Sequence, residues 1–229
     1  MSRMLQGISS MATRLVLQEL ATAYRERSGV HLQLESVGGV DAAKRVQAGE
    51  AFDVVFLAAD ALDKLAASGH VLPGSRVDLV RSGVAVAVRE GAEHPDISTE
   101  AALRNTVLQA RSLSVSTGPS GVALLGLFER WGLMETLRPR LVTPPPGVPV
   151  ASLVASGQVE LGFQQLSEML HVPGIALLGG LPAGCEIVTV FAGAVATASP
   201  QPDAVRELLT FMAGPDTADA KRRQGMDPA

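Results

Sequence analysis

Apolar and polar residues alternate along VHLQLESV, residues 30–37, which predicts a half-covered strand. FDVVFLAA, residues 52–59, is instead a near-continuous apolar run, as expected of a central parallel strand covered on both faces. Residues 3–8 read as a first strand interrupted by Arg3 and Gln6. A helix over about 12–27 follows, with Leu15, Leu17, Leu20, Ala21 and Tyr24 on one face and Gly29 at its end. Gly38-Gly39 turns the chain into a helix over 41–47, stopped by Gly49, and a further helix over 60–67 ends at Gly69. The order β-α-β-α-β-α favours a parallel sheet with right-handed crossovers.

A second α/β set fills the middle of the chain. GVAVAVRE (83–90) reads as a long strand and residues 98–111 as a helix. The segment 141–150 starts as a strand and breaks at Pro144-Pro145-Pro146. A helix over 150–156 precedes the strand VELGFQQ (159–165), which turns at Gln164-Gln165 into a short helix over 167–170. IALLGG (175–180) and EIVTVFAGAVATA (186–198) are strands, and 202–212 is a helix. The runs at 83–90 and 186–198 are long enough to join two lobes. The expected domains are therefore 1–82 plus 188–229, and 83–187.

Within this second set lies SVSTGPSGVALLGLFERW, residues 114–131. It reads as strand, small-residue turn and helix, with Leu124, Leu127, Phe128 and Trp131 as the buried face. Pro119 suits a first helical turn, and Ser116, Thr117 or Gly118 can cap it. Unpaired N–H groups and the positive end of the helix dipole make such a start a place for an anion. The alternative is an ordinary capped turn. Other strand ends share the pattern of small polar residues: Ser9-Ser10, Ser36 to Gly39, Gly147-Val148 and Gln164-Gln165. In open α/β sheets ligands collect outside the carboxyl ends of strands. The candidate ligand-binding residues are thus Ser9, Ser10, Gly38, Gly39, Ser116, Thr117, Ser120, Gly121, Gly147, Val148, Gln164 and Gln165. The two glutamines serve equally well as caps of the next helix.

Composition narrows the chemistry. The 229 residues are 47% hydrophobic but only 3% aromatic, which implies a large aliphatic core and makes the single Trp131 a useful reporter. A mean hydropathy of +0.25 argues against disorder. A net charge of −4 without a basic run argues against a nucleic-acid partner. One cysteine, Cys185, leaves no intramolecular disulfide, and His31, His70, His94 and His171 are scattered without metal-ligand spacing. No metal and no cofactor is expected. No nucleophile elbow and no phosphate-binding glycine motif is present. Arg76 and Arg81 could bind a carboxylate or simply face solvent, and Glu35 and Asp41 are the candidate bases. No apolar run is long enough to span a bilayer. The segment MSRMLQGISSMA lacks the zones of an export signal, which points to the cytoplasm as written and to the periplasm if a leader has been trimmed.

The helix over 12–27 followed by SGV, then VGGVDAAKRVQAGEAFDVVFLAAD, PSGVALLGLFERWGLMETLRPRL and VELGFQQLSE, resembles the type II periplasmic solute-binding proteins, nearest their molybdate-binding branch. The resemblance implies a two-lobed α/β fold, each lobe a mixed, mainly parallel sheet flanked by helices and joined by two crossing strands, closing by hinge motion on an oxyanion. It places that family's first binding serine at Ser9 or Ser10 and its second at Gly39, which keeps the N–H and loses the hydroxyl. Further N–H contacts fall at Ser120 and at Gly147 or Val148, and the tyrosine of the molybdate site falls at Gln165. An amide in place of a phenol, beside a hydroxyl-rich turn, suits a di- or tricarboxylate better than molybdate. The implied function is binding of a small organic anion, with an ABC-type or other membrane transporter as partner if the protein is exported. Some similar proteins are aconitate isomerases, so an isomerase or tautomerase acting on a polycarboxylate is the alternative.

Overall fold

The computed structural model describes residues 4–145 and 147–229; Arg3 of the first predicted strand and Pro146 of the proline run lie outside the described residues. The chain forms two compact units, one running up to Ser82 and resuming at Thr189–Ala229, the other Gly83–Val188.

The first unit opens with β1 (Met4–Ser10), α1 (Arg14–Ser28), β2 (His31–Val37), α2 (Gly39–Gln47), β3 (Val54–Ala58) and α3 (Ala59–Ala67). β1 runs two residues beyond its predicted end, so Ser9 and Ser10 belong to the strand itself. It pairs in parallel with β2 on one side and β3 on the other. The strand β3 is buried throughout because Val54, Phe56 and Ala58 face one apolar layer while Val55 and Leu57 face another. That two-sided burial is the cause of its uninterrupted apolar sequence. The buried face of α1 is centred on Val16, Leu17, Leu20 and Tyr24, with Leu15 only half-buried, and Gly29 ends the helix at φ 74°. Such a left-handed cap suits glycine, which has no Cβ to clash.

β4 (Val77–Arg89) is longer than predicted, and the boundary between the units falls within it. In the second unit there follow α4 (Glu100–Gln109), β5 (Leu113–Val115), α5 (Pro119–Arg130), α6 (Met134–Leu137), α7 (Val150–Ala155), β6 (Leu161–Gln165), α8 (Leu166–Met169) and β7 (Ile175–Gly180). The predicted strand after residue 141 is reduced to a single bridge between Leu141 and Leu113. Prolines lack the N–H that a longer ladder would need. The second half of β4 pairs antiparallel with both β6 and β7, and β5 joins β6 in parallel. Along β4, Val84, Val86 and Val88 face the layer containing α4 and α5, whereas Ala85 and Ala87 face α7. Small residues on the α7 side permit close approach. On β6 the same role falls to Gly162, where a Cβ would lie 2.4 Å from Val154 Cγ2 and 2.9 Å from Val150 Cγ1.

The chain then completes the first unit with β8 (Val188–Val195), α9 (Pro202–Ala213), α10 (Ala218–Arg223) and β9 (Asp227–Pro228). β8 lies antiparallel to β3, and β9 pairs with Val80 and Arg81 of β4. The apolar face of α9, built on Val205, Leu208, Leu209 and Met212, is fully buried. Because α7 rests directly on Gly162, Gly162→Ala should destabilise the protein by about 1–3 kcal/mol, the usual cost of overpacking. Urea denaturation should show a lower midpoint with an unchanged slope.

Candidate functional site

In the first unit the predicted residues gather around the carboxyl end of β1. The Ser9 and Ser36 hydroxyls are 2.7 Å apart and link β1 to β2. The Ser10 hydroxyl lies 3.4 Å from that of Thr13, whose own hydroxyl donates to the Ser10 carbonyl. A Cβ built on Gly39 would sit 3.5 Å from Ser10 Cβ, an ordinary contact, so the start of α2 adjoins Ser10. Gly38 is the N-cap of α2, and the N–H of Gly39 falls in the first helical turn, where the helix supplies no acceptor. Ser36 belongs to the polar strand end read from the sequence, whereas Thr13 was not singled out; its hydroxyl is placed by the Ser10 carbonyl.

In the second unit the turn Ser116–Gly121 begins beside β6, with the Ser116 N–H donating to the Phe163 carbonyl over 3.2 Å. The Ser116 and Ser120 hydroxyls are 3.0 Å apart. Gly118 is the cap of α5 and Pro119 its first residue, so the Ser120 N–H lies in the turn that lacks helical acceptors. Ser120 is buried and Thr117 exposed. Gly121 has a steric role: a Cβ there would lie 1.7 Å from the Ser116 carbonyl oxygen. Only glycine lets the turn fold back so tightly.

The remaining residues divide by what their polar groups already do. The Val148 N–H donates to the Pro145 carbonyl, and Gly147 takes φ 76° within that turn, so the Val148 amide serves the loop itself. The Gln164 side chain is occupied at both ends: its oxygen accepts from the Ala151 N–H over 3.1 Å, and its nitrogen donates to Glu168 Oε1 over 3.0 Å. Gln164 is therefore a clamp that caps the start of α7. Gln165 ends β6 as a buried residue.

Glu168 was not legible as a site residue. It is partly exposed as a residue, yet burial of its carboxyl, only partly offset by the Gln164 hydrogen bond, pushes its pKa up to about 7. Its neighbour Ser167 is buried, and the Ser167 hydroxyl has no hydrogen-bond partner among the described residues. The signal available in sequence was the spacing of four residues from Gln164 to Glu168, which brings an amide and a carboxyl together across the strand-to-helix turn.

The bases named from sequence fare differently. Glu35 is gripped by Arg45, whose guanidinium also holds Glu50 and keeps the Glu35 carboxyl below its ordinary range. Asp41 is exposed in the first turn of α2. Arg76 is paired with Asp63 at 2.6 Å and Asp78 at 3.1 Å, and Arg81 is exposed. Among the described residues no cluster of three His, Cys, Asp or Glu is placed to hold a metal ion, and no helix is long and apolar enough to cross a membrane.

A family model described as bacterial extracellular solute-binding protein matches residues 5–227. An aconitate isomerase from Pseudomonas sp is 40% identical over 229 residues, covering 96% of this chain and 86% of that protein. The periplasmic molybdate-binding protein of Azotobacter vinelandii superposes with a TM-score of 0.81 at 20% identity, covering 97% of this chain and 98% of that one. The sulfate-binding protein SubI of Mycobacterium tuberculosis H37Rv gives 0.81 at 14% identity, over 99% and 87%. At these identities the two structures speak for the two-lobed periplasmic-binding fold alone.

Two outcomes test this geometry. Gly121→Ala should destabilise the protein by about 3 kcal/mol, the upper end of overpacking costs, measured by chemical denaturation. Glu168 keeps its proton to about pH 7 when folded, against an ordinary value of 4.5. Its favourable contribution is therefore complete below about pH 4.5 and lost as pH rises to about 7. Glu168→Gln should raise Tm at pH 8 more than at pH 5; equal shifts at both would show an unperturbed carboxyl.

Proposed function

The chain belongs to the bacterial extracellular solute-binding protein family, and from that premise we propose that it binds a tricarboxylate of the aconitate class and interconverts its double-bond isomers. The observation that carries this reading is the 40% identity, over nearly the whole chain, to an aconitate isomerase. The donor chemistry of each unit agrees. Ser10 and Gly39 in the first, and Ser116 and Ser120 in the second, offer hydroxyls and first-turn N–H groups of the kind that bind carboxylate oxygens through charge-assisted hydrogen bonds. Gln165 stands where the resemblance puts the tyrosine of the molybdate site, so a carboxylate guest is favoured over a tetrahedral metal oxyanion. Glu35 and Asp41 do not serve as bases in this reading: the first is held ionised by Arg45 and the second faces solvent.

A second reading is favoured by the family description: the chain binds a small organic anion outside the cytoplasm and passes it unchanged to an ABC-type transporter. The site would then be the same and the chemistry absent. Between the two cellular locations read from the sequence, the extracellular family description supports the periplasmic one.

Titration with cis-aconitate, trans-aconitate, citrate, molybdate and sulfate, followed by Trp131 fluorescence and Tm, tests binding. Trp131 is buried against Phe128, which contacts Phe163 of β6, so it reports on the second unit. The expected result is saturable binding of the tricarboxylates with weaker or no binding of molybdate and sulfate. Proton NMR of the same mixtures should show cis- and trans-aconitate interconverting. Binding without interconversion would leave the transport reading; binding of neither aconitate would end the isomerase reading, and binding of no organic anion would end both.

A further inference from the structure

Moving a double bond between two carbons of a tricarboxylate requires a proton to leave one carbon and return to another, so a positioned base is needed. We propose that Glu168 is that base, held by the Gln164 clamp at the carboxyl edge of the β5–β6 pair, and this rests on the isomerase reading above.

Three features place it there. β5 and β6 are parallel, and the Ser116 N–H meets the Phe163 carbonyl, so the Ser116–Ser120 hydroxyl pair and the Gln164–Glu168 corner share one edge of the sheet. Gln164 is fixed by the Ala151 N–H, which leaves its nitrogen in one orientation and holds Glu168 Oε1 at 3.0 Å. Glu168 Oε2 has no hydrogen-bond partner among the described residues, so one oxygen is anchored and the other has lone pairs for a proton. On the same short helix the buried Ser167 hydroxyl also lacks a partner among the described residues, a costly arrangement for a polar atom withdrawn from water. Burial and the Gln164 amide are the influences on the Glu168 carboxyl; no charged side chain among the described residues acts on it. A carboxyl poised near neutrality suits a group that must first accept a proton and then return it. By contrast Asp53, buried in the first unit, has both oxygens occupied by the Gln6 N–H and the Ser199 hydroxyl.

The step balances without a co-reactant. Ionised Glu168 takes a proton from the methylene carbon of aconitate; the C–H electron pair forms a new double bond to the central carbon while the old π pair shifts onto the vinyl carbon and its carboxylate. The Glu168 acid then delivers the proton to the former vinyl carbon. The double bond now joins the former methylene carbon to the central carbon, and the carboxylate is regenerated. Nothing is oxidised or reduced.

The test compares wild-type protein, Glu168→Gln and Glu168→Asp with cis-aconitate in deuterated water, reading isomer ratio and deuterium at the methylene by NMR and affinity by calorimetry. The expected result is a loss of at least about 100-fold in the rate for Glu168→Gln, the lower range for a general base, with affinity within threefold and partial activity in Glu168→Asp. Wild-type kcat/KM, which reports the free protein, should rise with pH through neutrality to a plateau, a readout that needs no variant to fold. Full activity in Glu168→Gln, or a wild-type kcat/KM flat from pH 5.5 to 8.5, would overturn the assignment while leaving the isomerase reading standing. A wild-type protein that binds aconitate but neither exchanges nor interconverts it would overturn that reading as well.

Discussion

The second unit depends on the way β6 divides its residues between two faces. Phe163 turns toward α5 and meets Phe128 edge-on with ring centroids 5.8 Å apart. Gly162 turns the other way and lets Val150 and Val154 of α7 rest on the strand backbone. Gln164, on that same face, ties the start of α7 to the helix that follows β6. A side chain at Gly162 would lift α7, and with α7 would go the Ala151 N–H that orients Gln164. Packing at one residue thus controls the direction of an amide two residues away, and through it the position of a carboxyl.

The first unit achieves the same end with different means. Its two parallel strands β1 and β2 end in small hydroxyl residues, where Ser9 meets Ser36 and Ser10 adjoins the start of α2. In both units the helices that follow such strand ends begin without side-chain caps: α2 in the first, α5 and α8 in the second. First-turn N–H groups at such starts are stabilised by an incoming acceptor rather than by the protein's own oxygens. The resulting donors are neutral, and they suit an anion without requiring a cation nearby. This agrees with Arg45 and Arg76 being occupied by carboxylates of their own neighbourhood.

Much of this was legible in the sequence because the controlling forces are local. The period of two in β2 and the continuous apolar run of β3 follow from one-sided and two-sided burial, and the glycine after α1 follows from backbone sterics. The small polar residues at strand ends were visible for the same reason. What was not legible depends on tertiary packing. Gln164 reads equally well as a ligand contact or a cap until α7 is seen lying over Gly162. Glu168 reads as an ordinary acidic residue in a first helical turn; only its neighbours withdraw its carboxyl from water. The Val148 amide reads as a donor until the turn to Pro145 is in view. The alternation of valine and alanine in β4 was read as a strand, but its meaning, a thick layer on one face and a close helix on the other, needed the helix.

An isomerase built on a binding fold must reconcile two demands. A tricarboxylate guest brings negative charge to a place where the base is itself a carboxylate. Two unit charges 5 Å apart repel by about 3 kcal/mol at an effective dielectric constant of 20. A fully ionised surface carboxylate such as Glu35 would meet that repulsion and remain a weak base. A carboxyl already partly withdrawn from water ionises less readily, and a nearby anionic guest makes its ionised form more basic still. In the proposed reaction that is the useful direction, because the proton to be removed sits on carbon and is weakly acidic. Taking it up neutralises Glu168 at the moment negative charge spreads over the guest. The same repulsion that opposes binding by an ionised site therefore lowers the barrier to proton transfer, provided the neutral donors of the strand ends hold the guest in place.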